Sequence, residues 1–332
     1  MNLITAKTAG PMSLVLFGLL CATAHGQSPL ITGNNASCLS PFGKPGAIGT
    51  TDFPTGPTVH FVPDGAKIDC SNGRGVLVLG NRLYYTELVG GHPAPQFGPT
   101  DKIRVAPFNG GAGGPDIGAL GNPRPGCGVQ DLAYHDGFIY ALTGYPGTPL
   151  LPCPSLQVFK IAVGGGSWIG PVTISGSDPT ADGFTILVNN GVLTFLINDF
   201  DKSCTYREYN STTGSPTGKG FNVVGFGGCT GVDTSDSDTD GTHVLYFSVG
   251  PGGIPSQLYS ATLTPSFTLS GPSATQTPGD TWSISDGVED ISLVHGFAGT
   301  PGSANCHGKT VSELAQRYGG WIMRHLPSGM RA

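Results

Sequence analysis

The residues of this 332-residue chain whose spacing could do chemistry are carboxylates. In "DTSDSDTDGTHVLYFS", residues 233–248, Asp236, Asp238 and Asp240 alternate and Gly241 follows at once. A calcium loop begins this way, with oxygen ligands at alternate positions and a glycine where the backbone turns sharply. With Asp236 as the first position, the ninth and twelfth are Val244 and Phe247, so the closing carboxylate is missing and Asp233 is the nearby substitute. A solvated turn between two strands, with Asp and Ser bonding their own backbone, has the same composition. Both readings stand on the sequence.

A second set of carboxylates opens three similar segments: "GVQD" at residues 128–131, "GVD" at 231–233 and "GVED" at 287–290. If these segments line a common axis, Gln130, Asp131, Asp233, Glu289 and Asp290 converge on one end of it. Converging carboxylates raise one another's pKa or hold a cation. The alternative is that they cap turns and bond neighbouring strands. The metal candidates are therefore Asp233, Asp236, Asp238, Asp240, Glu289 and Asp290, with calcium as the candidate ion. Gln130 and Asp131 are the ligand-binding candidates.

Other chemistry is missing from the pattern. There is no H-E-x-x-H pair and no G-x-S-x-G elbow. The net charge is −6 and charged residues are 11% of the chain, so no basic patch tracks a phosphate backbone and nucleic acid is not an expected partner. Residues 14–24, "LVLFGLLCATA", form an apolar run too short to span a bilayer as a helix, and Ala22-Thr23-Ala24 is a small-x-small cleavage site. Residues 1–26 thus read as a signal peptide, the mature chain as secreted or periplasmic, without a membrane span. Beyond Cys21, seven cysteines remain and none has C-x-x-C spacing. Sequence order gives the disulfides Cys38–Cys70, Cys127–Cys153 and Cys204–Cys229, leaving Cys306 over.

The elements that must position these carboxylates are hairpins. Segments start at Gly75, Gly128, Gly183, Gly231 and Gly287, roughly fifty residues apart. Each runs as an apolar strand, a turn such as Gly80-Asn81, Asp136-Gly137 or Asn190-Gly191, and a second strand rich in aromatic or β-branched residues. Further strands follow at 101–108, 155–163, 204–210 and 256–263. About four strands per repeat is a propeller blade, so the fold class is all-β, a propeller of five blades. Six blades remain the alternative if residues 27–73 hold more strands, and a β-sandwich pair fits less well. The fifth repeat lacks outer strands, which the N-terminal segments 58–65 and 66–70 are expected to supply. The organisation is a signal peptide (1–26), a loop-rich segment (27–56), the propeller (57–297) and a tail (298–332).

In the tail, Thr310 and Glu313 make a capping box for a short helix over 311–318, ended by Gly319. The stretch "NCHGKTVSELAQRYGG", residues 305–320, resembles a C-terminal segment of secreted proteobacterial proteins of unknown function. That resemblance covers sixteen residues and implies export but no activity. The chain departs from the segment's pattern after Gly320.

With clear repeats and no catalytic motif, the sequence alone favours a monomeric, extracellular or periplasmic propeller that binds a ligand or protein partner without catalysis. A divalent-metal-dependent hydrolase or lactonase at the axis, and an envelope structural protein, are the alternatives.

Overall fold

The computed structural model describes residues 30–35, 48–52, 58–61, 75–87, 102–108, 117–125, 127–144, 153–177, 181, 183–189, 191–199, 204–223, 229–235, 241–249, 257–276 and 288–295. These form a β-propeller. Residues 29–294 make one compact unit, and residues 1–28 with 295–332 a second, of which only His295 is described. The expected helix over 311–318, Cys38, Cys70 and Cys306 lie outside the described residues.

Five antiparallel sheets stand in the order of the repeats. Blade I joins the two ends of the chain: β20 (Val288–Ser292) is followed outward by β1 (Leu30–Asn35), β2 (Ile48–Asp52) and β3 (Thr58–Phe61). Blade II runs outward through β4 (Val76–Leu79), β5 (Arg82–Glu87), β6 (Lys102–Pro107) and β7 (Gly118–Gly121), with the two-residue β21 (Val294–His295) beside β4. Blade III comprises β8 (Gly128–His135), β9 (Phe138–Gly144), β10 (Gln157–Ala162) and β11 (Ile169–Thr173). Blade IV comprises β12 (Phe184–Asn189), β13 (Val192–Asp199), β14 (Thr205–Asn210) and β15 (Pro216–Asn222). Blade V comprises β16 (Cys229–Thr234), β17 (His243–Val249), β18 (Gln257–Leu263) and β19 (Leu269–Gln276).

Ring closure by N-terminal strands is as expected, but the strands differ. Residues 58–61 supply only the outermost, β3, and the middle two come from 30–35 and 48–52. "LITGNN" and "IGTTD" carry no period-2 apolar alternation, so their strand character comes from pairing with β20 and each other. The segment 66–70 lies outside the described residues.

A burial gradient runs across each blade. Inner strands such as β4 ("VLVL") are buried on both faces, because a blade packs on either side of them. Outer strands such as β15 ("PTGKGFN") are exposed almost throughout and rich in glycine. The hairpin turn at Asp136-Gly137 has positive φ at both residues, 43° and 79°, the geometry that matches the strand twist in a two-residue loop.

Apolar clusters fill the spaces between neighbouring blades. Leu77, Tyr84 and Ile103 of blade II meet Leu132, Ile139 and Ile161 of blade III. Tyr140, Leu142 and Val158 of blade III meet Phe184, Phe195 and Tyr209 of blade IV. Leu196 and Tyr206 of blade IV meet Val232, Leu245 and Phe247 of blade V. Leu258 of blade V meets Ile291 of blade I, and Ile48 meets Val76 and Tyr85 across the blade I–II joint. Each fully buried side chain of this size contributes about 1.5–3 kcal/mol. Edge-on ring pairs such as Phe184–Phe195, 5.4 Å between centroids, add to it.

Two disulfides fix the starts of strands. Cys127–Cys153 ties the entry of β8 to that of β10 within blade III. Cys204–Cys229 ties blade IV to the first residue of β16 in blade V. Both pairings follow sequence order as expected, and closing loops of this length restricts the unfolded chain by about 3–4 kcal/mol.

Candidate functional site

The inner strands carry the three openings that the sequence singled out, and their aspartates do one job three times. Asp131 on β8 accepts a hydrogen bond from the following amide, Leu132 N, at 2.6 Å, and one from Phe184 N, at the start of β12 in the next blade, at 2.5 Å. Asp290 on β20 accepts from Ile291 N at 2.7 Å and from Val76 N, at the start of β4, at 2.6 Å. Asp233 on β16 accepts from Thr234 N at 2.8 Å and from Leu293 N of the closing segment at 2.7 Å. Each carboxylate therefore uses one oxygen on its own strand and the other on the neighbouring blade. The joints III–IV, V–I and I–II are held in this way.

Local irregularity aims these side chains. The β8–β9 register shifts between Val129 and Asp131, so Gln130 occupies a bulge and is itself buried. The β16–β17 register shifts between Cys229 and Val232, just before Asp233. A bulge redirects the side chains beside it, which brings the carboxylate edge-on to the next strand. Glycine permits the close approach. A Cβ at Gly231 would lie 2.6 Å from both Asp290 Cα and Ile291 N, so β16 and β20 touch backbone to backbone. A Cβ at Gly75 would lie 3.3 Å from Asp131 Cα.

The joint between blades IV and V uses hydroxyls and a histidine instead. Thr185 donates to Asp233 Oδ1 at 3.3 Å and lies 3.1 Å from the Thr234 hydroxyl, which donates to Ile186 O at 3.1 Å. His243 is buried, with Nδ1 3.0 Å from Ser235 O and Nε2 3.2 Å from Val188 O. Asn198 reaches across to Cys229 O. At the I–II joint Val78 N donates to Ser292 Oγ at 3.0 Å. Thr185, Thr234, Ser292 and His243 were not among the residues singled out from the sequence. The one signal for Thr185 is its place near the start of β12, where the other openings carry Asp.

Asp131 and Asp290 are fully buried. Neighbouring buried carboxyl groups disfavour each other's ionisation. Burial pushes both well above the ordinary aspartate range, and the charge of Asp290 raises Asp131 further. Asp233 adds negative charge near Asp290. The backbone N–H donors act in the opposite direction on both groups and are outweighed by desolvation.

The structure thus brings together Asp131, Gln130, Asp233 and Asp290 on inner strands. Glu289 lies on β20, with its side chain outside the described residues. Asp236, Asp238 and Asp240 also lie outside them, while Gly241, which follows, has φ +81°. Among the described residues, no group of three or more His, Cys, Asp or Glu side chains is placed to hold a metal ion. Among the same residues no helix is long and apolar enough to cross a membrane.

No protein-family model and no curated protein matches the chain. Solved structures do. A GH43 glycoside hydrolase engineered to show endo-xylanase and exo-arabinofuranosidase activity is 15% identical, with a TM-score of 0.45 over 77% of this chain and 52% of that one. A GH43 protein from Bacillus licheniformis is 15% identical, with a TM-score of 0.41 over 64% of this chain and 42% of that one. An α-L-arabinofuranosidase from Lactobacillus brevis is 13% identical, with a TM-score of 0.39 over 59% of this chain and 72% of that one. The chain spans only about two fifths of the length of the Bacillus licheniformis protein. At these identities the likeness is one of fold. The expectation of a propeller that binds without catalysis is nonetheless corrected: the similar propellers with named activities are hydrolases.

Removing one clamp should be costly. Asp131→Ala leaves Leu132 N and Phe184 N buried without their acceptor, at about 1–3 kcal/mol for each group. Asp131→Asn keeps one acceptor oxygen but sets its amide nitrogen against the other N–H, so it should lose about half as much. Denaturant unfolding of both variants checks this, and an Asp131→Ala protein within 1 kcal/mol of wild type contradicts the clamp.

Proposed function

We propose that the protein is a hydrolase with glycosides as the substrate class, its candidate acidic groups being the inner-strand aspartates Asp131, Asp233 and Asp290. The observation that supports this is two fully buried carboxyl groups on inner strands, Asp131 and Asp290, which burial holds well above the ordinary aspartate range. Glycosidic cleavage needs one carboxylic acid to protonate the leaving oxygen and one carboxylate to activate water. In this reading a carboxyl with a raised pKa, such as Asp131, gives its proton to the leaving oxygen as the bond to the anomeric carbon breaks. Water forms the new bond to that carbon, and its proton passes to a second carboxylate several ångströms away. Because Asp131 and Asp290 are fully buried, a substrate reaches them only if the inner strands move.

The test is hydrolysis of a panel of nitrophenyl pentosides and hexosides by the mature chain. Turnover of at least one member is expected, falling by a hundredfold or more in Asp131→Asn, the usual scale for loss of a general acid. The variant's cooperative melt separates lost chemistry from lost fold. A panel that is inert throughout, or a folded Asp131→Asn protein of undiminished activity, overturns the reading.

Export to an oxidising compartment accompanies this proposal. It is supported by the apolar leader over 14–24 and by the disulfides Cys127–Cys153 and Cys204–Cys229. A monomer is the proposed state. Calcium at Asp236, Asp238 and Asp240 is a separate proposal, supported by the left-handed Gly241 at the position where a calcium loop turns. Calcium at a hundred times its Kd would stabilise the folded chain by about 2.7 kcal/mol. A thermal melt with calcium and with chelator should therefore differ by several degrees, and identical melts dismiss the ion.

A further inference from the structure

We propose that Asn210 is an N-glycosylation acceptor, and that the turn between β14 and β15 holds the attached glycan on the outer part of blade IV. The proposal rests on export of the chain and on no part of the hydrolase reading.

The run Asn210-Ser211-Thr212 has the N-x-S/T pattern of acceptors in exported chains, with no proline in the middle. Three residues recur by chance, so their structural context decides. The one other such run, Asn35-Ala36-Ser37, begins inside the ring-closing sheet, where Asn35 ends β1 and pairs with Val288 of β20. Asn210 instead ends β14, and a turn leads from it into β15, the outermost strand of blade IV. Asn210 is half-buried, and Thr212 and Thr213 after it are exposed.

The bonds of the turn leave the reacting atoms unused. Asn210 Oδ1 accepts from Thr212 N and Thr213 N, both at 2.9 Å. Among the described residues Nδ2 of Asn210 donates to no acceptor, and the Thr212 hydroxyl, which a transferase reads, is likewise unengaged. The Ser211 hydroxyl in the middle position is committed to Leu193 O at 2.6 Å. The turn itself is closed by backbone: Asn210 N donates to Ser215 O at 2.9 Å and Gly214 N to Asn210 O at 2.8 Å. Ser175 N, just after β11 of blade III, donates to Gly214 O at 2.9 Å. A glycosylated amide keeps its carbonyl oxygen and one hydrogen on nitrogen. Both bonds to Oδ1 therefore survive the modification, and no protein group has to give way to the sugar's linkage.

The same geometry dates the transfer. Glu208, two residues before Asn210, is buried and accepts from the hydroxyls of Thr194 at 2.8 Å and Thr217 at 2.6 Å. Asn210 itself is paired with Thr194 of β13. A transferase that takes the run as an extended strand cannot lift it from this sheet, so it acts on the exported chain before blade IV closes. The co-substrate is an oligosaccharide carried on a lipid diphosphate. Nδ2 forms a bond to the anomeric carbon, and the bond from that carbon to the diphosphate oxygen breaks. The lipid diphosphate leaves with the electron pair, and one Nδ2 proton passes to a base of the transferase.

Mass spectrometry of the chain recovered from the exported fraction of the cells that make it is the test. Trypsin releases residues 208–219 as one peptide, between Arg207 and Gly220. Fragmentation that preserves the sugar linkage should place a glycan on Asn210. Thr212→Ala should lose the glycan completely and Thr212→Ser should keep it, while the turn, which uses only the backbone N–H of residue 212, is retained in both. A bare 208–219 peptide in a chain whose leader has been removed overturns the proposal and leaves export standing. A chain kept inside the cell with its leader intact overturns export and the proposal together. A glycan on a serine or threonine of the peptide in place of Asn210, or one that persists in Thr212→Ala, overturns the proposal too. If Thr212→Ala is not recovered, the wild-type peptide decides alone.

Discussion

A backbone N–H at the start of an inner strand has no partner within its own blade on the side facing the axis, and the propeller depends on how those groups are satisfied. Buried N–H groups left open cost more than the hydrogen bonds that would close them. Here Phe184 and Val76 at the starts of inner strands, and Leu293 just after β20, each give an N–H to an aspartate of the preceding blade. The same carboxylate takes the amide that follows it in its own chain. One side chain thus sets both the local bulge and the relation between two blades. The cost is burial of negative charge, which raises the pKa of Asp131 and Asp290.

Around this axis the rest is apolar packing of graded strength. The inner and second strands place Leu, Val, Phe and Tyr on both faces, so each blade contributes to two clusters. Toward the rim the sequence loosens into Gly, Ser, Thr and Pro, and exposure rises with it. Short, glycine-rich outer strands offer a poor template for pairing with another chain. Where the clamp aspartate is replaced by Thr185, the IV–V joint is reinforced by His243, Asn198 and the Cys204–Cys229 disulfide.

Much of this was legible in the residues. The repeated glycine-led openings, the Asn-Gly and Asp-Gly turns and the spacing near fifty residues specify blades, because a period-2 apolar run followed by a tight turn has few other folded outcomes. The two ring-closing strands "LITGNN" and "IGTTD" were not legible. They are strands through their partners, and nothing in their own pattern alternates. The openings "GVQD", "GVD" and "GVED" showed which residues matter but not how. A ring of carboxylates has the same sequence whether it faces a cation or faces amides. What decides is the position of Phe184 N, Val76 N and Leu293 N, which belongs to the arrangement of blades rather than to any one segment. Thr185, Ser292 and His243 were silent for the same reason: each is an ordinary strand residue until the neighbouring blade is in place.

The most direct test of the account is the protonation of Asp131 and Asp290 in the folded wild-type chain, followed through their carboxyl carbons by NMR on aspartate-labelled protein. Titration of both carboxyls above the range of an exposed aspartate is the predicted result. Both carboxyls ionising in the ordinary aspartate range in the folded chain would contradict it, and with it the buried clamping aspartates on which the account of the axis rests.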